Sequence, residues 1–280
     1  CLLFAISTSL CAQKVSGKLR FEQGQTITIS MEVKNNIAQQ AGAQAINFLA
    51  NGSAVHRYQV TNLTNNSTTL HHELQKLSFQ FEGMGQKRAF NSENEEDRKG
   101  QFGPLFEEIL SKKFDITIDS TGKTITAVPD KIQLTKPDVK LVTITDMLKD
   151  LTQLVYPNKK GTGSFFYVIP AGEKSAGDSW TETTDTDNEK STTVNTLSAI
   201  TDSTIVIDFK TTSSAIIKSE VMGRQTKTNL NNITTGKITL DRNTHLIKEK
   251  TSIMDSNGTT EAMGGMVPIS GKTTISILVK

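Results

Sequence analysis

The four histidines are the side chains best suited to metal binding or to acid–base catalysis near neutral pH. His71 and His72 are adjacent, so on a strand their side chains point to opposite faces and cannot share an ion. Pairing across the predicted hairpin places His56 nearer Gln75 than His71, and His245 lies in a distant turn. These positions predict ordinary strand histidines and no metal site.

Two aspartates in matching turns, Asp119 and Asp241, could form a pair of carboxylates that share one proton, as in aspartic proteases. The first turn reads Asp119-Ser120-Thr121-Gly122 and the second Asp241-Arg242-Asn243-Thr244. The protease loop needs Asp-Thr-Gly or Asp-Ser-Gly in direct succession, whereas a threonine intervenes here and the second turn has no glycine. We therefore expect both aspartates to stabilise hairpin turns.

Catalysis by a nucleophilic serine is not indicated either, because the Gly-x-Ser-x-Gly elbow is absent. We predict no catalytic residue and no cofactor. Trp180, the single tryptophan, follows a turn and enters a strand, where it could anchor the core or form the floor of a ligand pocket. Phe79 and Phe81 share one face of another strand. These three aromatic residues are the candidates for binding an apolar ligand.

The overall charge argues against a nucleic-acid partner. Among 280 residues, 31 are Lys or Arg and 29 are Asp or Glu, which leaves a net charge of +2. The hydrophobic fraction is only 35%, and Thr and Ser are frequent throughout. Since threonine suits the solvated face of a sheet, the composition predicts a soluble, β-rich protein.

The first 12 residues are expected to be the remnant of a signal peptide. An apolar run from Leu2 to Leu10 leads to Cys11-Ala12-Gln13, which is typical of a secretory cleavage site after Ala12. A lipoprotein acylated on Cys11 is the alternative, but Leu10 is too large for the residue before such a cysteine. We predict a periplasmic, outer-envelope or extracellular location, with no transmembrane segment. The only two cysteines, Cys1 and Cys11, lie in this remnant.

Alternating apolar residues predict many strands. The segment 25–34 alternates strictly, and 55–63 and 69–81 predict a long hairpin around Asn65-Asn66, with a β-bulge near Gln75-Lys76. Asn51-Gly52-Ser53 is typical of a turn. From residue 164 onward, nine further strands are predicted.

Two short helices interrupt the strands. Pro104 and the apolar stripe that follows it predict a helix near 104–112. Leu148, Leu151 and their neighbours on the same face predict a second helix over 141–156. The charged segment 91–100 predicts a solvated loop.

The two halves of the chain follow one plan, which suggests an internal duplication. Each has a Gly-polar start to a strand, then a long hairpin with a polar tip, then a strand that ends in an Asp-containing turn. We divide the chain into the remnant 1–12, an N-terminal β-rich half 13–136, a connecting helix 137–156 and a C-terminal β-rich half 157–280. Both halves are expected to form one domain.

Three short motifs resemble a known family. Ala12-Gln13 at the secretion site, Pro170-Ala171-Gly172-Glu173 before Gly177-Asp178-Ser179-Trp180, and Gly236-Lys237-Ile238-Thr239-Leu240-Asp241 are similar to those of secreted envelope proteins of Bacteroidota-type bacteria, grouped under a domain of unknown function. The resemblance implies a mostly antiparallel β protein without assigned activity. A looser similarity is to the curved sheets of periplasmic lipoprotein carriers, which hold a lipid.

The expected fold is a large, curved, half-barrel-like antiparallel sheet packed on two short helices. Because two helices cannot cover so many strands, part of one sheet face must be solvated or line a cavity. We therefore expect a non-catalytic binding or structural protein of the envelope, able to hold an apolar small molecule or lipid. The alternative is a secreted hydrolase whose catalytic residues the sequence does not reveal.

Overall fold

The computed structural model describes residues 13–41, 44–83, 85–135, 144–221, 224–262 and 265–280. The fold is mainly β, as predicted. The strands are β1 (Lys14–Ser16), β2 (Thr26–Ala41), β3 (Gln44–Leu63), β4 (Ser67–Gly83), β5 (Gln86–Asn91), β6 (Lys113–Asp119), β7 (Thr124–Val128), β8 (Glu173–Ser175), β9 (Ser179–Asp185), β10 (Glu189–Ile200), β11 (Thr204–Val221), β12 (Arg224–Asp241), β13 (Ile247–Ala262) and β14 (Gly265–Val279).

Twelve of these strands form one open antiparallel sheet. Its order is β7-β6-β4-β3-β2-β14-β13-β12-β11-β10-β9, and β5 pairs with β4 beside this path. The remaining two strands, β1 and β8, pair with each other. Because β2 lies next to β14, each half of the chain forms its own meander and the two meanders join along this central pair.

One face of the sheet, which we call the inner face, holds the hydrophobic core. On β2 the buried residues Ile27, Ile29, Met31 and Val33 all occupy odd positions, as the strict alternation predicts. Their even-numbered neighbours are polar and point to the outer face. A larger cluster lies on the inner face of the first half and a smaller one on that of the second half.

Short helices cover the inner face of the first half. They are α1 (Glu95–Lys99), α2 (Gly103–Ser111) and α3 (Lys149–Thr152), the last of which runs into a 3-10 turn at Gln153–Val155. Residues 144–147 are also helical. Phe106 and Ile109 of α2 are buried, and so are Leu148 and Leu151, as the stripes predict.

Three local expectations need correction. The segment around Gly52 is not a turn but the middle of β3. A Cβ at this position would lie 2.4 Å from Cδ1 of Leu151, so only glycine leaves room for that leucine. The charged loop contains α1, capped by the Asn94 side chain, which accepts from the Glu96 N–H. The helix expected over 141–156 is interrupted at Leu148, and its first residues, up to 143, lie outside the described part of the chain.

Corresponding turns in the two halves are built alike. Thr64 and Thr201 begin the two hairpin tips, and each threonine hydroxyl accepts from the backbone N–H three residues later. Asp119 and Asp241 begin the two later turns, and each carboxylate accepts from nearby backbone N–H groups and from a threonine hydroxyl. These local matches agree with the proposed duplication.

The long hairpin around Asn65-Asn66 forms as predicted from β3 and β4. Its register shifts where Val55 pairs with Lys76 and His56 with Leu74, which leaves Gln75 as the bulged residue. No helix within the described ranges is long and apolar enough to cross a membrane.

Candidate functional site

Beyond the core, the inner face bears a strip of apolar side chains that stay partly exposed. Cross-strand pairing places these side chains on the same face as the core. The residues of this strip, which we call the inner strip, are Ile37, Phe48, Phe81, Leu230, Met254 and Ile269. Among the described residues no helix packs broadly on β12, β13 or β14, so the strip is open to an apolar molecule.

The two phenylalanines predicted as ligand contacts differ in position. Phe79 is only 2% exposed and packs against Phe90, Phe102 and Phe106, so it belongs to the core and offers no surface to a ligand. Phe81 lies further along β4 and is partly exposed, stacked on Phe48 with 6.4 Å between ring centroids. Burial therefore argues against Phe79 as a ligand contact, whereas Phe81 stays a candidate.

A lysine with two acidic neighbours lies on the same face. Burial lowers the pKa of Lys250 on β13, while the nearby carboxylates Glu182 of β9 and Asp150 of α3 oppose that shift. Burial raises the pKa of both carboxyl groups. The Lys250 ammonium lies 5.4 Å from the ring centroid of Phe209. We call Lys250, Glu182 and Asp150 the lysine cluster.

The lysine cluster shows how strongly the sheet curves. Three strands separate β9 from β13 in the sheet, yet the charges of Glu182 and Lys250 influence each other across the inner face. Glu182 is also influenced by Lys123, which lies near the opposite edge of the sheet. Adjacent residues also join the two halves, since the Leu19 N–H donates to the Ser120 carbonyl after β6 and the Arg20 N–H donates to the Thr244 carbonyl after β12. The sheet therefore curves, and its inner face is a trough.

Trp180 lies at the wall of this trough. Trp180 of β9 pairs with the buried Asn195 of the neighbouring strand β10. Its side chain is partly exposed and packs against the smaller core cluster. Its indole Nε1 is buried and interacts with the Glu182 carboxyl group, which opposes the rise in the pKa of that carboxyl. Trp180 thus combines both roles considered for it, since its ring contacts the core while it borders the trough.

Asp119 and Asp241 stabilise turns. Oδ1 of Asp119 accepts from the N–H groups of Thr121 and Lys123, and Oδ1 of Asp241 accepts from those of Asn243 and Thr244. Hydrogen bonds in the turns outweigh desolvation and lower the pKa of both carboxyl groups. A dyad that shared one proton would instead have one raised pKa.

A buried pair of histidines was missed by the sequence analysis. Nδ1 of His56 lies 3.1 Å from Nε2 of His72, and Nε2 of His56 lies 2.9 Å from the Leu151 carbonyl. His71, the histidine considered above as a neighbour of His56, points to the other face. His56 and His72 lie diagonally on the inner face, since His72 pairs with Tyr58. The spacing of residues on paired strands could have revealed this contact, because His56 lies two residues from Tyr58, the partner of His72, on the same face.

The contacts fix the proton positions of this pair. A carbonyl only accepts, so Nε2 of His56 carries the proton and donates to Leu151, while its Nδ1 accepts from Nε2–H of His72. Nδ1 of His72 is then an unprotonated atom without a partner among the described residues. Burial lowers the pKa of His56 to about 4 and that of His72 to about 2. The pair is thus neutral, and it holds α3 on the sheet.

The other two histidines lie at separate places. His71 contacts Asp115 across the outer face at 2.7 Å, and His245 lies in the turn between β12 and β13. Within the described ranges, no three His, Cys, Asp or Glu side chains are grouped so that they could hold a metal ion.

Several solved structures resemble this fold weakly. A chain from a structure titled "Lipid-protein interactions in lipovitellin" is 10% identical with a TM-score of 0.44, over 93% of this chain and 26% of that one. The COG4313 outer membrane channel from Pseudomonas putida F1 is 9% identical with a TM-score of 0.23, over 94% and 98%. Salmonella typhi OmpF in complex with daunomycin is 6% identical with a TM-score of 0.28, over 91% and 98%. These scores are too low to support an argument about function.

Sequence comparison assigns a family. No curated protein matches the chain. Residues 65–247 match the family described as "Family of unknown function (DUF6263)". This confirms the expectation of a domain family without assigned activity. Since the match spans well over half of the sequence, the protein belongs to the DUF6263 family.

Proposed function

We propose that this chain is a secreted, non-catalytic binding protein of the cell envelope. It would hold one amphipathic molecule in the trough, with the apolar chain on the inner strip and the polar head near the lysine cluster. The signal peptide predicted for residues 1–12 supports the location. The expected origin in Bacteroidota-type bacteria is part of the same proposal.

The observation that supports binding most is the incomplete cover of the inner strip. The same sheet face forms a packed core over the first half, where α2 and α3 cover it. Further along, Ile37, Leu230 and Ile269 stay partly exposed although they continue the same face. Apolar residues on the inside of a curved sheet lie close enough together to surround an acyl chain, and each would gain by being removed from water.

The lysine cluster fits the polar end of such a molecule. The Lys250 ammonium forms no ion pair within 4 Å in the described part of the chain, although two carboxylates lie nearby. A ligand with a negative group and a hydrogen-bond donor could therefore bind the Lys250 ammonium and donate to the nearby carboxylates of Asp150 and Glu182.

Binding of a fluorescent fatty-acid analogue tests the proposal. Ile269→Ser removes apolar surface from the inner strip, and Ile253→Ser removes the same side chain from the outer face of the neighbouring strand, where Ile253 is 42% exposed. Burying one isoleucine contributes about 2 kcal/mol, so Ile269→Ser should weaken binding roughly thirtyfold.

The control should bind like the wild-type protein. An absence of saturable binding, or an equal loss in both variants, would contradict the proposal.

A hydrolase is the second candidate function, because one lysine and two carboxyl groups with shifted pKa values share the trough. Ester and peptide substrates should be tested with the wild-type chain, Glu182→Gln and Asp150→Asn. Turnover that disappears in both variants would favour the hydrolase, whereas binding without turnover favours the proposal above.

A further inference from the structure

An open hollow of about 370 Å³ lies away from the trough, where the N-terminal segment crosses the turn between β12 and β13. Residues of β1, of the segment after it, of β8 and of this turn line the hollow. The charged and polar lining residues are Lys14, Ser16, Arg20, Glu173, Arg242, Asn243 and His245.

The hollow has an excess of positive charge. Lys14 is neutralised by Glu173, whose carboxylate lies 2.9 Å from the ammonium. Arg20 and Arg242 have no acidic partner within 4 Å in the described part of the chain. Both arginines therefore border the hollow without an ion-pair partner in the described part of the chain.

The carboxylate of Asp241, next to Arg242 in the turn, does not fill this role. Oδ1 of Asp241 accepts from the backbone N–H groups of Asn243 and Thr244 and from the Thr244 hydroxyl. These bonds engage the carboxylate in the turn, and in the described part of the chain it forms no ion pair with Arg20 or Arg242.

His245 also lines the hollow and has an unusual backbone. Its φ is +60°, the only positive φ of a non-glycine residue in the described ranges, whereas the matching turn of the first half has Gly122 at +94°. Its Nδ1 lies 2.8 Å from the Lys18 carbonyl and must donate to it, so Nε2 is the free nitrogen. A bulky side chain kept where the sister turn has glycine suggests a role beyond the turn.

We propose that this hollow binds a phosphate group, either free or as a phosphate monoester. Arg20 and Arg242 would each donate a pair of N–H bonds to its oxygens, and Nε2–H of protonated His245 would donate a third contact. The site is separate from the trough, so its test is independent of the proposed function.

Calorimetric titration of the whole chain with inorganic phosphate tests this site. Arg20→Gln and Arg242→Gln each remove charged hydrogen bonds, so each should weaken binding about tenfold or more. Arg88→Gln is the matched control, because it removes the same charge from β5, outside the hollow. It should bind phosphate like the wild-type chain.

Proton NMR of His245 gives a second readout that a structural role would not change. Burial first, and then the charges of Arg20 and Arg242, lower the pKa of His245, while Asp241 opposes this shift. Bound phosphate should move the His245 titration to higher pH.

Vesicles distinguish the two sources of phosphate. A lipid headgroup is indicated if the chain co-sediments with phosphatidylcholine vesicles that contain phosphatidic acid and if Arg20→Gln loses this binding. A soluble ligand is indicated if the chain binds inorganic phosphate but not the vesicles. Failure to bind in both experiments, or equal binding by Arg242→Gln and the wild-type chain, would overturn the proposal.

Discussion

Acid should destabilise this protein through the buried pair His56–His72. Both imidazoles are neutral in the folded chain, because burial lowers their pKa values to about 4 and about 2 from the ordinary value of 6.5. In the unfolded chain both titrate normally and take up protons as the pH falls below 6.5. The unfolded state therefore binds more protons than the folded state over this window, and stability falls with pH.

The magnitude follows from the width of the window. Each pH unit below 6.5 lowers the free energy of unfolding by about 1.4 kcal/mol for each histidine that stays neutral in the folded state. Between pH 7 and pH 5, the two histidines together should remove about 4 kcal/mol. This is a large part of the stability of an ordinary domain. Carboxyl groups with a raised pKa, such as Asp150, oppose the trend, so a comparison of variants isolates the histidines.

Urea unfolding at pH 7, 6 and 5, followed by Trp180 fluorescence, measures the effect. His72→Phe keeps an aromatic ring between Tyr58 and Phe114 but removes one titrating group, so its loss between pH 7 and pH 5 should be about 2 kcal/mol smaller than that of the wild-type chain. His71→Gln is the control, because His71 is on the outer face. If His71→Gln reduces the pH dependence as much as His72→Phe, the reasoning is refuted.

Three other predictions use independent measurements. Leu151→Ala should lower the free energy of unfolding by about 2–5 kcal/mol, since Leu151 is 0% exposed. Leu278→Ala, at a site 45% exposed, should lower it far less. Equal losses in the two variants would show that α3 lies loosely on the sheet. Asp119→Asn and Asp241→Asn should fold like the wild-type chain and abolish no activity, and a peptidase activity lost in both would revive the dyad. Mass spectrometry of protein from a secreting host should find Gln13 at the N-terminus; a species that retains residues 1–12, or a diacylglycerol, would contradict simple secretion.

The sheet could be predicted because its signal is local. Strict alternation over 25–34 and the polar tip at Asn65-Asn66 determine one strand and one hairpin, and both form as expected. The bulge at Gln75 was visible as a change in which alternate residues are apolar. A strand of this kind needs only the period of its own residues.

Features that depend on distant partners could not be predicted in the same way. Gly52 is typical of a turn, yet it lies within β3, where its missing side chain leaves room for Leu151, about one hundred residues later. The contact between His56 and His72 depends on the register after the bulge, and a shift by one residue would turn one imidazole to the other face. The lysine cluster requires the curvature of the whole sheet, which no local pattern specifies.

The same limit applies to the candidate binding residues. Phe79 and Phe81 have the same alternation, yet only Phe79 lies beneath α2, so cover by a helix separates a core residue from a candidate contact. Residues of the inner strip are spread over β2, β3, β4, β12, β13 and β14. They become neighbours only when all six strands are paired.

Native mass spectrometry of the protein purified from its secreting host, without detergent, tests the central claim most directly. If the trough binds a ligand, the spectrum should contain a species heavier than the chain by the mass of one amphipathic molecule. Organic solvent should remove this molecule, and it should be reduced in Ile269→Ser but kept in Ile253→Ser. A single mass equal to that of the chain alone, together with no uptake of added fatty acid, would contradict the claim that the trough is a binding site.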